Sequence, residues 1–186
     1  MVLTLSTIRY SFVISEVILV SSIKSVEAND VDSLRIINDL ANSIWREHYI
    51  VIIGTEQVEY MLNKFQSVHS ISNQIKEEGY KYYLLSFRDD FAGYIGIKVE
   101  DDALFLSKLY VDKKYRNKGI AKKGIEFLMN FCIENNLKKI WLTVNKYNSS
   151  SISVYNKLGF LITNQQVSDI GGGFVMDDYI MEKKIT

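Results

Sequence analysis

The stretch Leu104-Phe105-Leu106-Ser107-Lys108-Leu109-Tyr110-Val111-Asp112-Lys113-Lys114-Tyr115-Arg116-Asn117-Lys118-Gly119-Ile120-Ala121 decides how this chain reads. An apolar and aromatic strand ends at Val111, a basic turn containing one glycine follows, and a helix opens near Lys118. The start of a helix presents unpaired N–H groups and the positive end of the peptide dipoles. Gly119 lets a ligand come close to the backbone. Arg116 and Lys118, with Lys113 and Lys114, add positive charge at the same place. Such a turn suits a diphosphate. Taken alone, the pattern fits a plain strand–turn–helix with solvated lysines equally well. Neither G-x-x-x-x-G-K-[ST] nor G-x-G-x-x-G occurs, so a P-loop and a dinucleotide-binding fingerprint are both disfavoured.

Upstream, the apolar period is helical. Asn29-Asp30 caps a helix carrying Val31, Leu34, Ile37, Leu40 and Ile44. Gly54 leads into a second helix over Glu56 to Phe65, with Thr55 as its expected cap, and Ser70 to Glu78 has room for a short third. From Lys81 the period becomes two. Tyr82 to Phe87 and Phe91 to Val99 form a hairpin about Arg88-Asp89-Asp90, and Ala103 to Val111 is the next strand. Downstream of the key turn, the helix runs to Asn135. Lys139 to Val144 is a buried strand, parallel because a helix crosses over before it. Ser149 to Leu158 is a helix closed by Gly159. Phe160 to Thr163 and Phe174 to Met181 are the last strands, with Asp169 to Gly173 as a loop between them. The order β-α-α-β-β-β-α-β-α-β-β predicts one α/β domain with a mixed sheet over residues 1–186.

Composition agrees. Apolar residues make up 47% of 186, enough to bury a core, and charged residues 24%, which is unlike a disordered chain. The formal net charge is zero, so a basic field for nucleic acid is not indicated. The lone Cys132 lies among Phe127, Leu128, Phe131 and Ile133. No internal disulfide can form, and a buried structural thiol in a reducing, cytoplasmic setting is expected. Residues 1–21 are apolar-rich, but Arg9 is the only early cation and Glu16 interrupts the second apolar run. They read as a strand-forming extension, neither signal peptide nor membrane span. The chain has no proline, so Gly, Asn and Asp must make its turns.

Two regions together resemble the GNAT superfamily of acetyltransferases. Its [RQ]-x-x-G-x-[GA] signature matches Arg116-Asn117-Lys118-Gly119-Ile120-Ala121. Its N-x-x-[AS]-x-x-[FLV]-Y-x-K-x-G-F region matches Asn148-Ser149-Ser150-Ser151-Ile152-Ser153-Val154-Tyr155-Asn156-Lys157-Leu158-Gly159-Phe160. They stand in order, with the strand Ile140 to Val144 between them. The resemblance runs from about Ile23 to the C-terminus, leaves the first twenty or so residues unexplained, and implies the GNAT acyl-CoA N-acyltransferase fold.

It also implies acetyl-CoA as co-substrate, no metal, and direct attack of an amine on the thioester. The pantetheine arm would pair with the backbone of Leu109, Tyr110 and Val111, as an added strand does. The pyrophosphate would sit on the amides of Arg116, Asn117, Lys118, Gly119, Ile120 and Ala121. Asn148 would hydrogen-bond the arm, Tyr155 would protonate the departing thiolate, and the Val111 N–H would polarise the thioester carbonyl. Members resembling polyamine acetyltransferases carry a carboxylate on the strand before the turn; this chain has Phe105 and Ser107 there. The base is therefore open among Glu47, His48, Glu56 and the pair Asp177 and Asp178. Trp45 and Tyr49 could wall an amine through cation–π contact, or Trp45 could belong to the helix core.

The expected acceptor is a small primary amine such as a polyamine, amino acid or amino sugar, with a loose likeness to the PaiA kind. A protein or peptide acetyltransferase is the runner-up and would want an open groove between the first helices and the last hairpin. A non-catalytic acyl-CoA-binding module is the third reading. No nucleic-acid or membrane partner is expected; a homodimer is suggested only by resemblance.

Overall fold

The period-two and helical runs sort onto one sheet and its two faces. The computed structural model describes residues 22–185, so expectations for residues 1–21 lie outside the described residues. The elements are β1 (Ile23–Val26), α1 (Val31–His48), α2 (Ile50–Ile53), α3 (Thr55–Phe65), α4 (Val68–Glu77), β2 (Tyr80–Phe87), β3 (Asp90–Glu100) and β4 (Ala103–Val111). A 3-10 turn (Lys113–Tyr115), α5 (Ile120–Glu134), β5 (Lys139–Asn145), α6 (Ser149–Lys157), β6 (Leu161–Gly171) and β7 (Phe174–Lys184) complete them. Seven strands lie in the order β1-β2-β3-β4-β5-β7-β6. Among the described residues only β4 and β5 run parallel, joined by the crossover helix α5.

Caps explain where the helices begin. The Asp30 carboxylate accepts the Ser33 N–H at 3.1 Å and starts α1. Ser67 does the same for α4 through the Ser70 N–H. Apolar stripes then bury the helices on opposite faces. On one, Leu34, Ile37, Ala41, Ile44, Val58, Met61, Leu62 and Ile71 pack on Tyr82, Leu84 and Tyr94. On the other, Ile125, Leu128 and Cys132 of α5 pack on Ile95, Ile97, Leu104, Leu106, Ile140 and Leu142. Burial pushes the Cys132 thiol up to about 11, so this thiol is inert packing.

Three local expectations need correction. Four helices separate β1 from β2, not two. One of the two more is α4, the short third helix for which Ser70 to Glu78 has room. The other is the single-turn α2, whose Ile-Val-Ile-Ile sequence has no helical period to read. Thr55 does not cap α3: Gly54, at φ +83°, occupies that position, and Thr55 is the first helical residue. Asp169 to Gly173 is not a loop, since β6 continues to Gly171 and turns tightly into β7. β6 is the outer strand, and its polar run Asn164-Gln165-Gln166 carries no burial signal because that edge is wet.

Gly93 on β3 shows how tightly β4 is held. A Cβ there would collide with the carbonyl oxygen of Tyr110. Gly93→Ala should therefore force the two backbones apart and destabilise the fold by about 1–3 kcal/mol, read as a lowered thermal midpoint.

Candidate active site

β4 and β5 pair only through Ala103, Leu104 and Phe105 against Lys139, Ile140 and Trp141. Beyond that the strands diverge, β4 continuing to Val111 and β5 to Asn145. The rings of Phe105 and Trp141 stack at 4.3 Å in the fork. Past it, the β4 edge facing β5 bonds no strand among the described residues.

Which β4 groups face the gap follows from the ladder. The Asp112 N–H donates to the Ala92 carbonyl at 2.8 Å. Antiparallel pairs alternate between bonded and non-bonded, so Tyr110, two residues back, turns its backbone to β3, while Leu109 and Val111 turn theirs to the gap. The position of the Tyr110 carbonyl against Gly93 agrees. Of the three backbones expected to bind an extended arm, Tyr110 is thus excluded by its own β3 ladder. Ser107 is an extra residue: Ile97 aligns with Leu106, and Gly96 with Lys108. This bulge shifts the alternation. Leu109 and Val111 then join Leu104 and Leu106 on the α5 face, while the Tyr110 side chain reaches the α1 face.

After Val111 the chain turns sharply. Asp112 caps the 3-10 turn by accepting the Lys114 N–H at 2.9 Å. Asn117 and Gly119 take left-handed conformations, φ +63° and +77°. Gly119 opens α5 with no side chain to cap it. The first-turn amides of Ile120, Ala121 and Lys122 are therefore left without an intrahelical acceptor. A Cβ at Gly119 would meet nothing within 4 Å, so the space beside this backbone is open.

The cations beside it are engaged. Arg116 donates from Nε to the Val111 carbonyl at 3.1 Å and reaches Glu47 Oε2 at 2.7 Å. Lys113 Nζ lies 3.3 Å from Glu47 Oε1. Burial works to raise the Glu47 pKa, yet Arg116 and Lys113 together hold it below the ordinary value. A carboxylate so held is a poor base. A cleft of about 310 Å³ between Ser43, Ile44, Glu47, Asp112, Lys113 and Lys114 adjoins it. Lys118 turns away, over the rings of Phe87 and Tyr115.

Asn148 joins the two sides of the fork. Buried at 1% exposure, it caps α6 by accepting the Ser151 N–H at Oδ1. The same oxygen lies 3.1 Å from His48 Nε2, and Nδ2 donates toward the Tyr49 hydroxyl at 3.4 Å. Since Oδ1 only accepts, His48 must donate through Nε2. That nitrogen is then not available as a base; only Nδ1 is. Tyr49 stacks on Trp45 at 4.7 Å and meets Tyr110 edge-on at 6.2 Å. Trp45 is buried in the core of this face. Burial pushes Tyr49 up to about 12. The Tyr155 phenol is raised by burial first and by the neighbouring Tyr49 second. Tyr155 is therefore a neutral hydroxyl at neutral pH.

The acidic pair divides. Asp177 Oδ1 lies 2.5 Å from Lys146 Nζ. Asp178 points to the opposite face, aligned with Asn145 of β5, and is 5% exposed. Glu56 stands in the first turn of α3 and forms no ion pair among the described residues. Two lysines escaped the sequence reading. Lys146 neutralises Asp177. Lys108 is buried under α4 against Gln74 and Ser107, and burial lowers it to about 7. A lysine within an alternating strand signals exposure, but both faces of β4 are covered, and the Ser107 bulge puts this one on the α1 face with Tyr110.

Asn148→Ala would remove the α6 cap and leave the His48 donor without its acceptor. It should cost about 1–2 kcal/mol by chemical denaturation, whatever its effect on activity.

The chain is similar to several known proteins. The chain is 26% identical over 158 residues to spermidine N(1)-acetyltransferase of Thermoplasma acidophilum, covering 83% of this chain and 92% of that protein. The PaiA N-acetyltransferase of the same organism, solved with coenzyme A, matches with TM-score 0.71 and 22% identity over 89% of this chain and 99% of that one. The ribosomal-protein-S18-alanine N-acetyltransferase of Escherichia coli matches with TM-score 0.59 and 20% identity, covering 90% and 95% of the two chains. The acetyltransferase (GNAT) family profile matches residues 37–160, two thirds of the sequence, and the chain belongs to that family.

Proposed function

We propose that this enzyme transfers the acetyl group of acetyl-CoA to a primary amine of a small molecule. The pantetheine arm would enter the fork and bond the backbone of Leu109 and Val111. The diphosphate would rest on the open amides from Asn117 into the first turn of α5, with Arg116 and Lys113 exchanging Glu47 for phosphate oxygens. The thioester carbonyl would then lie near the Val111 N–H, which opposes the charge developing on its oxygen. Tyr155 would donate its proton to the leaving thiolate.

The observation that carries the small-molecule reading is the closed groove between α3 and the last hairpin. The hydroxyl of Tyr60 donates to the Ile170 carbonyl at 2.8 Å, and Lys64 Nζ reaches the same oxygen at 2.7 Å. Gln57 Nε2 donates to the Val175 carbonyl at 2.9 Å. A Cβ on Gly171 or Gly172 would press into Tyr60. A peptide acceptor would need this seam open. The name of the Thermoplasma spermidine enzyme favours a polyamine among small amines. The likeness to a protein N-acetyltransferase extends to the fold alone.

Turnover of acetyl-CoA against a panel of polyamines, amino acids, amino sugars and N-terminal peptides tests this. Small amines should be acetylated and peptides should not; preferential acetylation of peptides would reverse the assignment. On the best amine, Tyr155→Phe should lower kcat about 10²-fold or more and leave the acetyl-CoA Kd nearly unchanged.

A further inference from the structure

Resting on that reading, we infer that Asp178 seats the acceptor's ammonium group and takes its proton before attack. The residue is placed for this by β7. Met176, two residues before it, packs with the α1 face, and Tyr179 and Met181 pack with the α5 face. Asp178 therefore shares the α1 face with Tyr49 and Tyr110. It aligns with Asn145, the last residue of β5, three residues before Asn148. The carboxylate thus lies at the wall of the fork opposite β4, on the side away from α5.

Asp178 is more than nine-tenths buried, and its Oδ1 accepts no hydrogen bond. A buried carboxylate without a partner is costly, and structures rarely keep one without a use. Lys146 favours its charge only without direct contact, because the ammonium is held by Asp177. The charged and titratable groups around it are Asp177 on its own strand, Lys146 after β5, and Tyr49 at the end of α1; β6 opposite brings only the neutral Gln166. What is missing is a positive charge, and a protonated amine against the Tyr49 ring supplies one. Burial first, and Asp177 second, lift the carboxyl to about 6. It is ionised at neutral pH yet basic enough to share a proton. Phe105 and Ser107 provide no carboxylate on β4, so the base has moved to the other wall of the fork.

The proton balance is simple. The ammonium gives one proton to Asp178 and becomes a neutral amine. Its nitrogen lone pair forms the C–N bond, the C–S bond breaks, and the thiolate takes a proton from Tyr155. Tyr155 is restored by the second proton leaving the nitrogen. Asp178 releases its proton to solvent, so one proton leaves per turnover.

The test uses the full chain with spermidine and acetyl-CoA, comparing wild type, Asp178→Asn and Asp178→Glu. The inference predicts a wild-type kcat/KM that falls on the acid side of about pH 6. Asp178→Asn should lose at least 10²-fold with that limb abolished, Asp178→Glu should recover part of it, and acetyl-CoA binding should not change. Stability gives a second readout. The folded pKa lies above the unfolded one, so the charge weakens the fold above about pH 6, and this penalty vanishes as pH falls toward 4. Asp178→Asn should therefore melt higher than wild type at pH 7–8, with the gap closing in acid. An active wild type whose Asn variant keeps both its rate and its acid limb overturns the inference alone. A wild type that acetylates no amine overturns the proposed function and this inference with it.

Discussion

The fold depends on a parallel pair that is allowed to fail. β4 and β5 hold together only across Ala103 to Phe105, and after the Phe105–Trp141 stack they separate. Unpaired backbone in the middle of a sheet is costly unless something else bonds it. Here the divergence leaves a β4 edge inside the molecule, where the proposed pantetheine arm would take the place of the missing ladder. The rest of the structure keeps that gap open and closes its far end. α5 begins directly after β4 and presents its amides there, while Asn148 ties α6 to His48 and Tyr49 across the fork.

Ser107 settles which chemistry faces which side. One extra residue in β4 puts the backbone of Leu109 and Val111 toward the gap and the ring of Tyr110 toward α1. Without the bulge, Leu106 and Tyr110 would share a face, and the acceptor side would lose an aromatic wall. The same shift puts Lys108 on the α1 face, where its contacts with Gln74 and Ser107 make it part of the packing under α4.

Much of this was legible in the sequence where burial writes a period. β4 was bounded correctly because helices cover both its faces, and the caps at Asp30 and Gly159 were visible because few residue types can fill those positions. The turn into α5 was legible because a glycine suits the φ > 0 that Gly119 adopts there. The failures have equally local causes. β6 lies on a wet edge, so its polar residues resemble a loop. α2 is a single turn with no period. The roles of Asp177 and Asp178 could not be separated, since adjacent strand residues face opposite sides and only the pairing register says which side is which. Glu47 looked like a free carboxylate, but Arg116 and Lys113, 69 and 66 residues away in sequence, are its partners.

The central claim is that the open backbone of β4 and α5 is the coenzyme site. Backbone amide exchange and NMR shifts on titration with coenzyme A test it directly. The account predicts that Leu109 and Val111 become protected and that Asn117 through Ala121 show the largest amide shifts, with Tyr110 little changed because β3 already holds it. Saturable binding that leaves those amides unmoved, and perturbs another surface instead, would contradict it.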